Sequence, residues 1–131
     1  MSDGEIEDAL EKVGLSKLLV GGLSVIRDWA TELSLGEQQR LAFARLIVDP
    51  PKLAILDEAS SALDLDSEER MYKLLEACGE KEGTVWCSVG HRPSLLQYHD
   101  VKLRLGAENG ASQFGKVTEK EKKQARISVA L

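Results

Sequence analysis

The sequence predicts an α/β fold, and three observations carry that expectation. Two short apolar runs, LAIL (53–56) and TVWCSV (84–89), have the length and the β-branched or aromatic content of buried strands. Between them, residues 66–78 place apolar side chains at helical spacing. Helical patterns also precede the first run, giving the order helix, helix, strand, helix, strand, strand. With 131 residues, 43% hydrophobic and 30% charged, the chain can form one globular domain with a real core.

Each element has its own local signal. Ile6, Ala9, Leu10 and Val13 fall on one helical stripe, Ser2 and Glu5 form a capping box before them, and Gly14 ends the helix. LSKLL (15–19) gives a short apolar turn, broken by Gly21-Gly22. GLSVIRDWATE then leads on, with Trp29 as a large anchor in a loop-like stretch. Residues 37–48 are apolar almost all round, which predicts a helix buried on most faces, stopped at Asp49-Pro50-Pro51. LAIL reads as a strand covered on both faces of a parallel sheet. Asp66 and Glu69 form another capping-box pattern, followed by Met71, Leu74, Leu75 and Cys78, with Gly79 closing that helix. VKLRL (101–105) alternates like a half-exposed edge strand, and from Gly106 the chain turns polar. Residues 106–131 read as a polar tail or a weakly packed helix.

Composition excludes some functions. A net charge of −5 gives no reason to expect nucleic acid or an anionic membrane surface as partner. The stretch LLVGGLSVI is nine residues with two glycines, far from the ~20 apolar residues that span a bilayer. MSDGEIED lacks the basic and apolar regions of a secretory signal. Cys78 and Cys87 have no C-x-x-C spacing and are expected as reduced, packed thiols.

Three stretches can carry chemistry. In ILDEASSALD (55–64) two acids leave the carboxyl end of a buried strand, where ligands of open α/β sheets sit. Asp57 suits a Mg²⁺ that bridges phosphates, and Glu58 suits orienting or deprotonating an attacking water. In LSLGEQQR (33–40), Ser34 and Glu37 fit a capping box. The serine hydroxyl, the Gly36 amide and the positive helix end also converge as an anion site. In SVGHRPSL (88–95), His91 directly follows a buried strand and could donate to a terminal phosphate. Taken singly, each has a plain reading: a solvated loop, a helix cap, a surface histidine.

Together and in this order they resemble the nucleotide-binding domain of ABC transporters. LSLGEQQR is similar to the signature motif, LAILDE to the Walker B motif, SALD to the D-loop, and His91 to the switch histidine. The resemblance covers roughly residues 5–105. Leu35 and Glu37 depart from the commonest signature, LSGGQ, where glycine and glutamine stand. That signature form and SVGHRPSLLQYHD are similar to the peroxisomal fatty-acyl half-transporters and their bacterial and plastid relatives.

The resemblance implies a partial P-loop NTPase-type fold, a parallel sheet with flanking helices that lacks the Walker A half. Residues 1–105 would be the carboxyl-terminal half of an ABC ATPase domain, divided into a signature-helix region (1–52) and a Walker B to switch-histidine region (53–105), before the tail at 106–131. It implies ATP and Mg²⁺ as cofactors and ATP hydrolysis coupled to transport of a lipid-like or peptide-like substrate, with a fatty-acyl one favoured by the subfamily resemblance. Asp57 would position Mg²⁺ through water, Glu58 would activate water, and His91 would contact the γ-phosphate. Ser34, Gly36 and Glu37 would meet nucleotide held by the opposite subunit, and Asp64 would signal across the dimer. The implied partners are a second nucleotide-binding domain and a transmembrane domain, in a peroxisomal, plastid or bacterial inner membrane. A silent piece that only binds a partner subunit is the main alternative, and a soluble ABC protein of translation or DNA repair is a third.

No G-x-x-x-x-G-K-[ST] loop precedes Ser34. GASQFGKVT (110–118) comes near it, but Val117 stands where a hydroxyl should hold Mg²⁺. Positioning supplies most of phosphoryl-transfer catalysis, so the isolated chain is expected to be inactive.

Overall fold

The computed structural model describes residues 1–106 and 110–129, which form two compact units, residues 1–89 and 90–131. In the first unit, α1 (Asp3–Lys12) starts at the Ser2–Glu5 capping box and ends at Val13, before Gly14 at φ +73°. A 3₁₀ turn covers Ser16–Leu19, and a short α2 covers Trp29–Glu32. The long helix α3 (Leu35–Val48) leads to strand β1 (Leu53–Asp57), then α4 (Leu65–Glu82) and β2 (Val85–Val89). Strands β1 and β2 pair in parallel, Leu53 opposite Val85 through Asp57 opposite Val89.

The core lies between α1, α3, α4 and one face of β1. Val13, Leu15, Phe43, Met71, Tyr72 and Leu75 are almost wholly buried. Each such side chain contributes about 1.5–3 kcal/mol by leaving water. The Phe43 and Tyr72 rings meet edge to face, centroids 6.0 Å apart. Two arginines tie the other helices to the end of α1: Arg40 donates to the Val13 and Gly14 carbonyls, and Arg70 to Glu11. These bonds satisfy carbonyls that a helix end leaves open.

Several expectations need correction. Strand β1 is covered on one face only: Ala54 and Leu56 are buried, while Leu53 and Ile55 are exposed. Val85, Cys87 and Val89 of β2 are exposed in the same register, so Cys87 is not packed. An apolar run tells that a strand prefers cover, not that the chain supplies it on both faces. Helix α3 buries Phe43 and Ala44 but leaves Leu41, Leu46, Ile47 and Val48 half-buried and Ala42 exposed. Trp29 is exposed, and Leu33 is the buried residue there.

Helix α4 is capped two residues earlier than predicted. Asp64 is its N-cap, its carboxylate accepting from the Ser67 amide at 2.7 Å, and Asp66 falls in the first turn. The helix passes through Gly79 and ends at Gly83, which takes the left-handed conformation at φ +73°. A Cβ on Gly79 would meet the Thr84 carbonyl at 3.0 Å and the Trp86 ring at 3.2 Å. That glycine serves close packing rather than a stop.

The second unit holds a 3₁₀ turn at Pro93–Tyr98, strand β3 (Val101–Arg104), strand β4 (Gln113–Lys116) and helix α5 (Glu119–Val129). Strand β3 pairs antiparallel with β4 in a two-stranded sheet, where it is an edge strand as expected, but Val101 and Leu103 are both exposed. Of the stretch 106–131 read as a polar tail or a weakly packed helix, residues 107–109 and 130–131 lie outside the described residues, and the rest includes β4 and helix α5. Thr118 caps α5, accepting from the Glu121 amide at 3.2 Å while its own amide donates to the Glu121 carboxylate at 2.9 Å. Lys102 holds that same carboxylate, lowering its pKa to about 2. The near match to a phosphate loop lies partly in β4, as extended backbone rather than a loop that wraps an anion. Among the described residues no helix is long and apolar enough to cross a membrane.

Candidate functional site at the carboxyl end of β1

Strand β1 delivers Asp57 and Glu58 side by side, both exposed. The Asp57 carboxylate has no hydrogen-bond or ion-pair partner among the described residues. Glu58 has φ +48°, the one non-glycine residue with positive φ among the described residues. For an L-residue this is sparsely populated backbone, and it persists only where the surroundings fix it. The Glu58 amide donates to the Val89 carbonyl at 2.9 Å, continuing the β1–β2 ladder by one residue. Its carbonyl accepts from the Ser61 amide at 3.2 Å and from the Gln39 carboxamide at 3.1 Å.

The loop after Glu58 is held from both sides. The same Gln39 nitrogen reaches Ser61 Oγ at 3.0 Å, and Gln39 Oε1 accepts from the Ala62 amide at 2.9 Å. Ser60, itself buried, donates to the fully buried Glu68 carboxylate at 2.7 Å. On the same face of α4, one turn further on, the Tyr72 hydroxyl lies 2.8 Å from Ser88 Oγ of β2. Burial pushes the Tyr72 phenol up from its ordinary range. Leu63 is buried, and Asp64 is occupied as the cap of α4.

The first turn of α3 lies against this loop. Ser34 accepts from the Glu37 amide at 3.3 Å, and the Ser34 amide donates back to Glu37 Oε2 at 3.0 Å, a complete capping box. Lys17, from the 3₁₀ turn, closes on Glu37 Oε1 at 2.5 Å. The Lys17 ammonium, then the Ser34 amide, lower the Glu37 pKa from its ordinary 4.5. The Leu35 and Gly36 amides have no acceptor among the described residues. A Cβ on Gly36 would meet the Ala62 carbonyl at 3.0 Å, so this glycine admits the loop against the helix.

The loop that leads from Glu58 to Asp64 thus meets Gly36 and Gln39 of α3 within the first unit. His91 is exposed at the start of the second unit. An open groove of about 880 Å³ is lined by α1, α3 and the end of β1, reaching Gln39, Phe43, Ile55, Asp57 and Glu58. Gln39, Ser60 and Glu68 are the participants that the sequence did not single out. Their partners lie 8 to 23 residues away, beyond the reach of a local pattern.

The donor set suits a hard cation only in a limited way. Among the described residues no three His, Cys, Asp or Glu side chains gather into a metal cluster. One carboxylate without a partner among the described residues fits an ion whose remaining oxygens come from phosphate and water.

Residues 1–61 match the ABC transporter family. The chain is 44% identical over 105 residues to the chloroplastic ABC transporter D family member 2 of Arabidopsis thaliana, covering 79% of this chain and 14% of that protein. It is 47% identical over 107 residues to the Lysosomal cobalamin transporter ABCD4 of Mus musculus, covering 79% of this chain and 17% of that protein. The chain therefore spans less than a fifth of the length of these relatives. Among solved structures, an ABC transporter in an inward-facing conformation superposes with a TM-score of 0.62 at 25% identity, covering 95% of this chain and 48% of that one.

Proposed function

This chain carries nucleotide-binding-domain sequence of an ABC transporter, and from that premise we propose that it supplies parts of two ATP sites in a dimer of such domains. The observation that carries the reading is the Asp57–Glu58 pair: adjacent exposed carboxylates at the carboxyl end of a parallel strand, the second in strained backbone. Asp57 would hold Mg²⁺ through water, with a carboxylate that no other group occupies. Glu58 accepts a proton from the attacking water, its backbone held by β2 and Gln39 and the residue exposed. When bound, ATP–Mg²⁺ supplies the transferable phosphoryl group and neutralises charge on it.

The start of α3 serves the nucleotide held by the partner domain. The Ser34 hydroxyl and the Leu35 and Gly36 amides aim donors at a helix N-terminus, which favours phosphate. Glu37 braces that turn through the Ser34 amide and Lys17. Asp64 sets the start of α4 and through it the loop that would face the partner, and His91 donates to the γ-phosphate. A transmembrane domain couples this cycle to movement of a lipid-like substrate across an organelle or bacterial membrane. Similarity to a cobalamin transporter marks the competing cargo, which a transport assay with both compounds would decide. By itself the 131-residue chain does not turn over ATP, and magnesium-dependent hydrolysis by the purified chain, abolished by Glu58→Gln, would overturn that.

The test compares Asp57→Asn with Glu58→Gln in a dimer that also contains a phosphate loop. Asp57→Asn weakens metal-dependent nucleotide binding by removing a charge from the Mg²⁺ shell. Glu58→Gln leaves ATP binding and dimer closure intact but lowers turnover by ~10²-fold or more. Normal binding and parent rates in both variants would sink the assignment and leave a chain that only binds partner subunits.

A further inference from the structure

The backbone of Glu58 is held from an element other than its own. Its amide is tied to β2 through Val89, and its carbonyl accepts both from Ser61, within the same turn, and from Gln39 of α3, 19 residues earlier. Gln39 uses both ends of its carboxamide on this loop: the nitrogen on Glu58 and Ser61, the oxygen on the Ala62 amide. One turn before Gln39, Gly36 packs against the Ala62 carbonyl, where a Cβ would come within a tight 3.0 Å. Positive φ at a glutamate survives only under such over-determination.

We propose that Gln39 is the positioning residue for Glu58, its carboxamide fixing the left-handed turn at Glu58 to the first turns of α3 so that whatever seats on Ser34–Gly36 sets the aim of the Glu58 carboxylate. This rests on the reading that Glu58 activates water and that α3 meets the partner's phosphate. Gln39 acts through Glu58 rather than on nucleotide, because its donor and acceptor are spent on the loop. A phosphate drawn onto α3 would therefore reach Glu58 through one side chain and one glycine contact.

The test uses the full chain, isotopically labelled for NMR, with two variants. Gln39→Met keeps length and loses every hydrogen bond. Gln39→Glu keeps an acceptor for the Ala62 amide and loses the donor to the Glu58 carbonyl. In both, the Glu58 Cα, Cβ and carbonyl shifts are expected to leave the left-handed range. The Ala62 amide should exchange freely in Gln39→Met and stay protected in Gln39→Glu. Unchanged Glu58 shifts, with nothing but lower stability, would overturn the proposal, and if Gln39→Met fails to fold then Gln39→Glu decides.

In an ATP-hydrolysing dimer containing this sequence, Gln39→Met should lower kcat by about 10²-fold, the scale of a misplaced catalytic group, with KM for ATP within about twofold. Combined with Glu58→Gln it should cost nothing more, whereas multiplying losses would overturn the link. A Glu58→Gln dimer with parent turnover would remove the functional reading instead, and the NMR shifts would still decide whether Gln39 sets the Glu58 turn.

Discussion

Lys17 and Glu37 meet at 2.5 Å, so the acid in the first turn of α3 is neutralised by a cation from a separate 3₁₀ turn. The commonest signature has an uncharged glutamine here, and this chain carries a glutamate that would repel a phosphate unless paired. The pair also fixes the cap, since the other Glu37 oxygen takes the Ser34 amide.

The pH response of that pair has a definite sign. The folded-state pKa of Glu37 lies below its ordinary 4.5, so the stabilisation is fully present above 4.5 and lost as pH falls through the lowered value. Lys17→Met should move the Glu37 titration, followed by carboxyl ¹³C NMR, back up toward 4.5. An unshifted curve would show that lysine has no part in it.

Ser34 separates capping from phosphate contact. Ser34→Ala should cost about 1 kcal/mol in urea unfolding, and Ser34→Asp should cost little, because aspartate caps as well as serine. In the assembled dimer Ser34→Asp should nevertheless cripple hydrolysis through charge repulsion. Normal hydrolysis in that variant would leave Ser34 as a cap alone.

Two helical glycines should respond in opposite directions. Gly4→Ala, with nothing within 4 Å of the new methyl, should stabilise by up to about 0.5–1 kcal/mol from helix propensity. Gly79→Ala drives its methyl toward a backbone carbonyl at 3.0 Å and an indole ring at 3.2 Å, and should destabilise by about 1–3 kcal/mol despite the same propensity gain. Equal Tm shifts in the two variants would refute the packing role of Gly79.

The thiols should differ in reactivity. Cys87 is exposed, whereas burial raises the Cys78 thiol above its ordinary value. A maleimide at neutral pH should label Cys87 first, because the thiolate is the nucleophile. Mass spectrometry of the singly labelled chain settles the order.

What could be read beforehand was whatever lies within one turn of chain. The Ser2–Glu5 and Ser34–Glu37 boxes join residues three apart, and both form as expected. The acids after β1 were legible because an apolar run and its charged end are contiguous. Gln39 was invisible: it looks like any surface glutamine of an amphipathic helix until the loop 23 residues later folds onto it. Asp64 and Asp66 both suit an N-cap, and only the backbone at the end of the loop decides for Asp64. Helix α5 did leave a sign, the Thr118–Glu121 spacing, but its polar composition masked it.

Strand β2 carries little of the site's chemistry, yet the site is measured out along it. Its register sets Val89 opposite Asp57, and the Val89 carbonyl then receives the Glu58 amide. Sliding a strand by one residue turns every side chain to the other face. Here a slip would also present the Glu58 amide with a carbonyl one position out of step, and would carry Ser88 away from Tyr72. Residues 85–89 therefore act as a ruler: a change in how many there are would put the two carboxylates out of place.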